Sequence, residues 1–110
     1  MKGEHPAVRT GVTAVPATDQ QPVAISIIIP AYQEGTRLDT LLGQLPQSLR
    51  ARYGVEVIVS DGGSSDETLS CARAGADLVV EHTGTRRQTI GEGRNRGADV
   101  ARGRVLVFLN

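Results

Sequence analysis

Three carboxylates, two glycines and four hydroxyls fall within residues 60–68, Ser-Asp-Gly-Gly-Ser-Ser-Asp-Glu-Thr. Such a set accepts and donates hydrogen bonds, and its glycines let another group come close to the backbone. The preceding residues 55–60 are short, β-branched and almost wholly apolar, which suits a parallel strand covered on both faces. Ser64 with Glu67 three places on reads as a capping box and predicts a helix over 65–74. Asp61 is then expected at the carboxyl end of a strand, where open α/β sheets bind their ligands. A carboxylate on that rim accepts from a nucleobase edge or a ribose hydroxyl.

Two further segments carry polar chemistry to expected strand ends. Pro30 is expected to halt one strand, Tyr32 to offer a flat face to a base, and Glu34 to add an acceptor. Their plainer roles are packing for Tyr32 and a favourable charge at a helix amino terminus for Glu34. On a helix over 88–101, Ile90, Gly93, Arg94, Gly97, Ala98 and Ala101 share a face. Arg94 is the misfit there, and burying an unpaired guanidinium is costly. It is expected to reach an anion: Asp61, Glu34 or a ligand phosphate. From Arg86 onward six arginines face only Glu92 and Asp99, a local positive excess suited to phosphates or simply to a solvated surface.

Positioning these groups requires strands alternating with helices. Residues 1–22 contain Pro6, Pro16 and Pro22 without helix or strand periodicity and read as a flexible leader. From residue 23 to 110 the pattern is regular. Strands are expected over 24–29, 55–60, 77–81 and 104–109. Helices are expected over 36–45, with Pro46 kinking or ending it before a further turn to Arg52, over 65–74 and over 88–101. This order implies an α/β fold, a mostly parallel sheet with helices on both faces. The apolar segment 104–109 suits a strand interior to a sheet, and the 88 residues after the leader make a small core. Both observations suggest the amino-terminal part of a larger domain, incomplete at its carboxyl end.

Composition narrows the chemistry. Basic and acidic side chains balance at 12 each, so no global field recommends nucleic acid or a membrane surface as partner. The single cysteine, Cys71, allows no internal disulfide and favours a reducing compartment. His5 and His82 lack metal-ligand spacing, which argues against zinc. No signal-peptide pattern and no run approaching a membrane span occurs, so a cytoplasmic protein is expected, at a membrane's inner face only through residues outside this sequence. The run 91–97 mimics a dinucleotide fingerprint, but its third glycine is one place late and no strand directly precedes it. Neither a Gly-Lys-Ser/Thr phosphate loop nor a Gly-x-Ser-x-Gly elbow is present.

Taken together, residues 27–34 (Ile-Ile-Ile-Pro-Ala-Tyr-Gln-Glu), 57–68 and 93–110 resemble the family 2 glycosyltransferases, inverting enzymes of the Rossmann-like GT-A fold that use nucleotide-diphosphate sugars. The resemblance implies that Pro30, Tyr32 and Glu34 flank the base and ribose, that Asp61 bonds the base edge, and that Asp66 supports the same loop. Arg94 and Asn95 look like the family's donor-side contact. Asn110 stands where that family begins an Asp-x-Asp motif for Mg²⁺ or Mn²⁺, and an amide is a weaker, neutral ligand than a carboxylate. The catalytic base, the acceptor site and the second acidic residue are expected downstream, so the implied unit is a donor-binding half. A rival reading is a nucleotide-sensing or receiver-like domain without transfer chemistry. Pro30-Ala31-Tyr32, and the absence of any lysine after Lys2, count against it.

Overall fold

The computed structural model describes residues 12–14 and 22–110. Five strands form one sheet: β1 (Val12–Ala14), β2 (Ile25–Ala31), β3 (Val55–Asp61), β4 (Leu78–Glu81) and β5 (Val105–Phe108). Their spatial order is β1-β4-β3-β2-β5. Strands β4, β3, β2 and β5 run parallel, and β1 pairs antiparallel with β4. Between them lie α1 (Gly35–Gly43), α2 (Gln47–Tyr53), α3 (Thr68–Gly75) and α4 (Ile90–Val100). The α/β architecture expected from the alternation is the one observed.

Period-two alternation splits the sheet into two apolar faces. Ile29, Ala31, Val57, Val59 and Val79 pack with Leu38 and Leu42 of α1 and Ala72 of α3. Ile28, Ile58 and Val80 face the other way, onto Ala98 and Val100 of α4 and the following Ala101. Helices therefore cover both faces. Two polar networks hold the amino ends of the strands. Glu56, 2% exposed, accepts from Ser26 Oγ (2.6 Å), from the Arg102 N–H (2.7 Å) and from Arg102 Nε (3.1 Å). It thereby ties β2 and β3 to the connection into β5. Arg50 donates to the carbonyls of Leu45 and Gly75 and to Asp77 Oδ2, which also accepts from the Val57 N–H.

Several boundaries differ from expectation, each for a local reason. Pro30 does not stop β2, which runs on to Ala31 opposite Asp61. The carbonyls of Ala24 and Ile28 accept from β5 and its flanks, so the even positions of β2 face that side. Pairing with β5 ends at Ile28, and the missing N–H of Pro30 falls where no ladder bond is needed. The capping box assigned to Ser64 and Glu67 does not form; α3 starts at Thr68, without a side-chain cap on Glu67. Ser64 Oγ instead accepts from the Gln33 N–H, a contact from another strand end that local spacing cannot reveal. Pro46 ends α1's region and serves as N-cap of the separate α2. Within the expected leader, residues 12–14 form β1, because the free edge of β4 offers backbone partners to a segment with no pattern of its own. The rest of residues 1–21 lies outside the described residues. Finally, β5 is not interior among the described residues. It stands at the sheet edge with Val105, Leu106, Val107 and Phe108 all exposed.

Candidate functional site at the carboxyl ends of the strands

The loops leaving β2 and β3 are stitched together before any ligand arrives. Gln33 sits at φ +52°, a left-handed conformation that ordinary residues seldom adopt, so its neighbours must hold it there. Its N–H donates to Ser64 Oγ (2.9 Å), and its Oε1 accepts from the Ser65 N–H (2.6 Å). The Glu34 N–H donates to Thr68 Oγ1 (2.9 Å), and the Thr68 hydroxyl in turn donates to Asp66 Oδ1. These bonds from the Thr68 hydroxyl and N–H hold the Asp66 carboxyl below its usual range. Asp66 thus supports the loop, as the resemblance implied, from an exposed position.

Between β4 and α4 a third loop is equally fixed. Thr89 and Glu92 form a reciprocal capping box, with the Glu92 N–H on Thr89 Oγ1 (3.1 Å) and the Thr89 N–H on Glu92 Oε1 (2.8 Å). Arg86 grips the same carboxylate (2.7 Å to Oε2), and His82 Nε2 lies 2.6 Å from the Arg86 carbonyl oxygen. The pair holds the Glu92 carboxyl down to about 2. This Thr-x-x-Glu spacing was readable in the sequence, and it is what aims Arg87 and Gln88.

A cavity of about 270 Å³ opens between these loops, lined by Pro30, Tyr32, Glu34, Ser60, Gln88 and Asn110 among others. Arg87 also lines it, with its guanidinium 4.5 Å from the centre of the Tyr32 ring and no carboxylate partner among the described residues. Tyr32 therefore shows one ring face to a cation. Glu34 lies 3.9 Å from Arg37, near the first turn of α1.

The other anticipated residues stand elsewhere. Asp61 does not line the cavity. Its Oδ2 accepts from the N–H groups of Gly63 (3.0 Å) and Ser64 (2.9 Å), closing the bend, while Oδ1 is buried without a partner. The alternation along β3 explains this: Ser60 belongs with Ile58 on the α4 side, and Asp61 with Val57 and Val59 on the other. Arg94 forms no ion pair with Asp61 or Glu34; its guanidinium lies 6.0 Å over the Phe108 ring, because α4 seats position 94 above β5. Asn95 is exposed on α4, outside the lining. Ser60 and Gln88, by contrast, were not singled out from sequence, since a serine ending a strand and a glutamine opening a helix carry no distinctive spacing.

The donor set for a divalent ion is thin. Among the described residues no group of three or more His, Cys, Asp or Glu could hold one. Asn110 brings one neutral amide, so these residues alone do not fit the ion. Burial pushes the Cys71 thiol up, which suits a packing residue rather than a nucleophile. No helix among the described residues is long and apolar enough to cross a membrane.

The chain is 32% identical over 112 residues to a validoxylamine A glucosyltransferase of Streptomyces hygroscopicus subsp. limoneus, covering 96% of this chain and 24% of that protein. It is 40% identical over 86 residues to an uncharacterised glycosyltransferase of Bacillus subtilis, covering 76% of this chain and 21% of the relative. It thus spans about a quarter of the length of these curated relatives. Its fold matches glucosyl-3-phosphoglycerate synthase of Mycobacterium tuberculosis, solved with Mn²⁺, uridine diphosphate and glucosyl-3-phosphoglycerate. That match has a TM-score of 0.60 and 29% identity, and covers 79% of this chain and 33% of that one. The model of glycosyl transferase family 2 matches residues 26–110. With the parallel sheet, its loop-lined cavity and this match over most of its length, the chain belongs to glycosyl transferase family 2.

Proposed function

We propose that the cavity at the carboxyl ends of β2 and β3 binds the nucleotide diphosphate of a sugar donor, and that the protein transfers the sugar with inversion. The observation that carries this reading is the joint lining of one cavity by Pro30, Tyr32, Glu34 and Asn110 with the unpaired guanidinium of Arg87. Three of the four sit on the strand-end loops the family resemblance points to, and a fixed cation suits a diphosphate. Support comes also from the glucosyltransferase relative and from the uridine diphosphate named in the structural neighbour.

In such a transfer the acceptor oxygen bonds to the anomeric carbon as that carbon's bond to the diphosphate oxygen breaks. The acceptor's proton passes to a general base, and the electron pair leaves on the diphosphate. The residues here orient the donor and place positive charge near the leaving group, an effect realised mainly as charge develops. Asp61 and Asp66 are assigned to shaping the loop, and Arg94 and Asn95 to the outer α4 side of the donor. A Mg²⁺ or Mn²⁺ ion is proposed for the family reaction, with Asn110 nearest to it; no step is drawn through it. The acceptor is unassigned. A cytoplasmic setting, with membrane contact only through residues outside this chain, fits the single free thiol.

Isothermal titration with uridine or guanosine diphosphate, with and without Mg²⁺, tests the reading. Binding is expected, weakened at least tenfold by Arg87→Ala. Equal affinity for the variant would remove Arg87 from the site, and absence of nucleotide binding would overturn the reading.

A further inference from the structure

Two polar atoms on the cavity wall have no partner within the protein. Ser60 is 1% exposed and its Oγ is buried without a hydrogen bond; Gln88 Oε1 is likewise buried and unpaired. Both residues line the same cavity. They flank one glycine: a Cβ built on Gly93 would lie 3.1 Å from Gln88 Nε2 and 3.6 Å from Ser60 Oγ. Buried polar groups in folded proteins are nearly always satisfied, so two orphans side by side in one cavity call for a ligand that supplies the missing partners.

Neither group carries charge, which separates them from the diphosphate contact at Arg87. A neutral hydroxyl and a carboxamide suit the polar edge of a flat ring. Gln88 Oε1 is an acceptor and needs an N–H; the Ser60 hydroxyl donates to a carbonyl oxygen. An adjacent N–H and carbonyl occur together on uracil and guanine, whereas cytosine and adenine present an unprotonated ring nitrogen beside an amino group. We propose that Ser60 and Gln88 select the nucleobase of the donor, favouring the oxo bases uracil and guanine over cytosine and adenine. This rests on the cavity being the donor site. The backbone supports it: Gln88 directly precedes the Thr89–Glu92 capping box, and Ser60 lies within β3, so both are held before binding.

Titrating this chain with uridine, guanosine, cytidine and adenosine diphosphates provides the test. The chain should bind a uridine or guanosine diphosphate about tenfold or more tightly than the cytidine and adenosine forms, as one well-placed pair of hydrogen bonds allows. Ser60→Ala and Gln88→Leu should each bring that ratio towards one while leaving inorganic diphosphate affinity unchanged. Ser60→Ala removes an unsatisfied group, so its melting temperature without ligand should be unchanged or raised, which separates lost recognition from lost folding. If nucleotides bind but both variants keep the parent's base preference, this inference fails and the donor-site reading stands. If no nucleotide binds, both fail.

Discussion

The Glu92 carboxylate accepts from the Arg86 guanidinium and from the Thr89 N–H, and these contacts draw its pKa from 4.5 to about 2. A carboxyl lowered on folding adds stability that is complete above its unfolded value and lost as pH falls through its folded one. The Arg86–Glu92 contribution should therefore persist above about pH 4.5 and vanish towards pH 2. Glu92→Gln should show a smaller drop in urea midpoint between pH 5 and pH 2.5 than the parent does; equal drops would mean the pair is not formed. At Asp61 the chemistry is a turn. Asp61→Ala leaves the Gly63 and Ser64 N–H groups without their acceptor and should cost about 1–3 kcal/mol in urea unfolding. It should also weaken uridine diphosphate binding through the displaced loop, and unchanged affinity would take Asp61 out of the site. The motif drew attention to the right stretch. Which neighbour meets the cavity depended on one residue of strand alternation, and adjacent positions in a motif do not reveal it.

Glycines along α4 set how closely that element lies on the sheet, and two of them should respond oppositely. A Cβ at Gly97 would stand 2.5 Å from Ile28 Cγ2 in the core, so Gly97→Ala should lower stability by about 1–2 kcal/mol. At Gly91 the nearest atom is Thr89 Oγ1 at 3.9 Å, so Gly91→Ala should be neutral or gain about 0.5 kcal/mol from helix propensity. Urea midpoints check both, and destabilisation of equal size would show that the helix is not seated this closely. Glu56 is the corresponding point at the strands' amino ends. Glu56→Ala strands the buried Ser26 hydroxyl and the Arg102 N–H and should cost about 3 kcal/mol by the same measurement. Periodicity located every strand from 24 onward to within two residues, because runs such as Val57-Ile58-Val59 have one physical use. The start of α3 was misplaced because Ser64 bonds Gln33, 31 positions away, instead of capping its own helix.

Across the whole molecule, the β5 edge exposes Val105, Leu106, Val107 and Phe108 at 56, 40, 37 and 42%. An open, apolar, unpaired edge attracts other strands. Light scattering of this chain should rise with concentration, and Val107→Lys should reduce it; a parent that stays monomeric at high concentration would contradict this. The alternation of buried strands with amphipathic helices, the α/β class and the family motifs were all present in residue order, because each depends on spacing within a few positions. The strand order β1-β4-β3-β2-β5, the edge place of β5, the pairing of residues 12–14 and the release of Arg94 from any carboxylate were not. Neither was the meeting of Ser60 with Gln88. These depend on contacts between segments tens of residues apart, whose geometry follows from how helices and strands seat on one another. Local spacing carries no record of that seating.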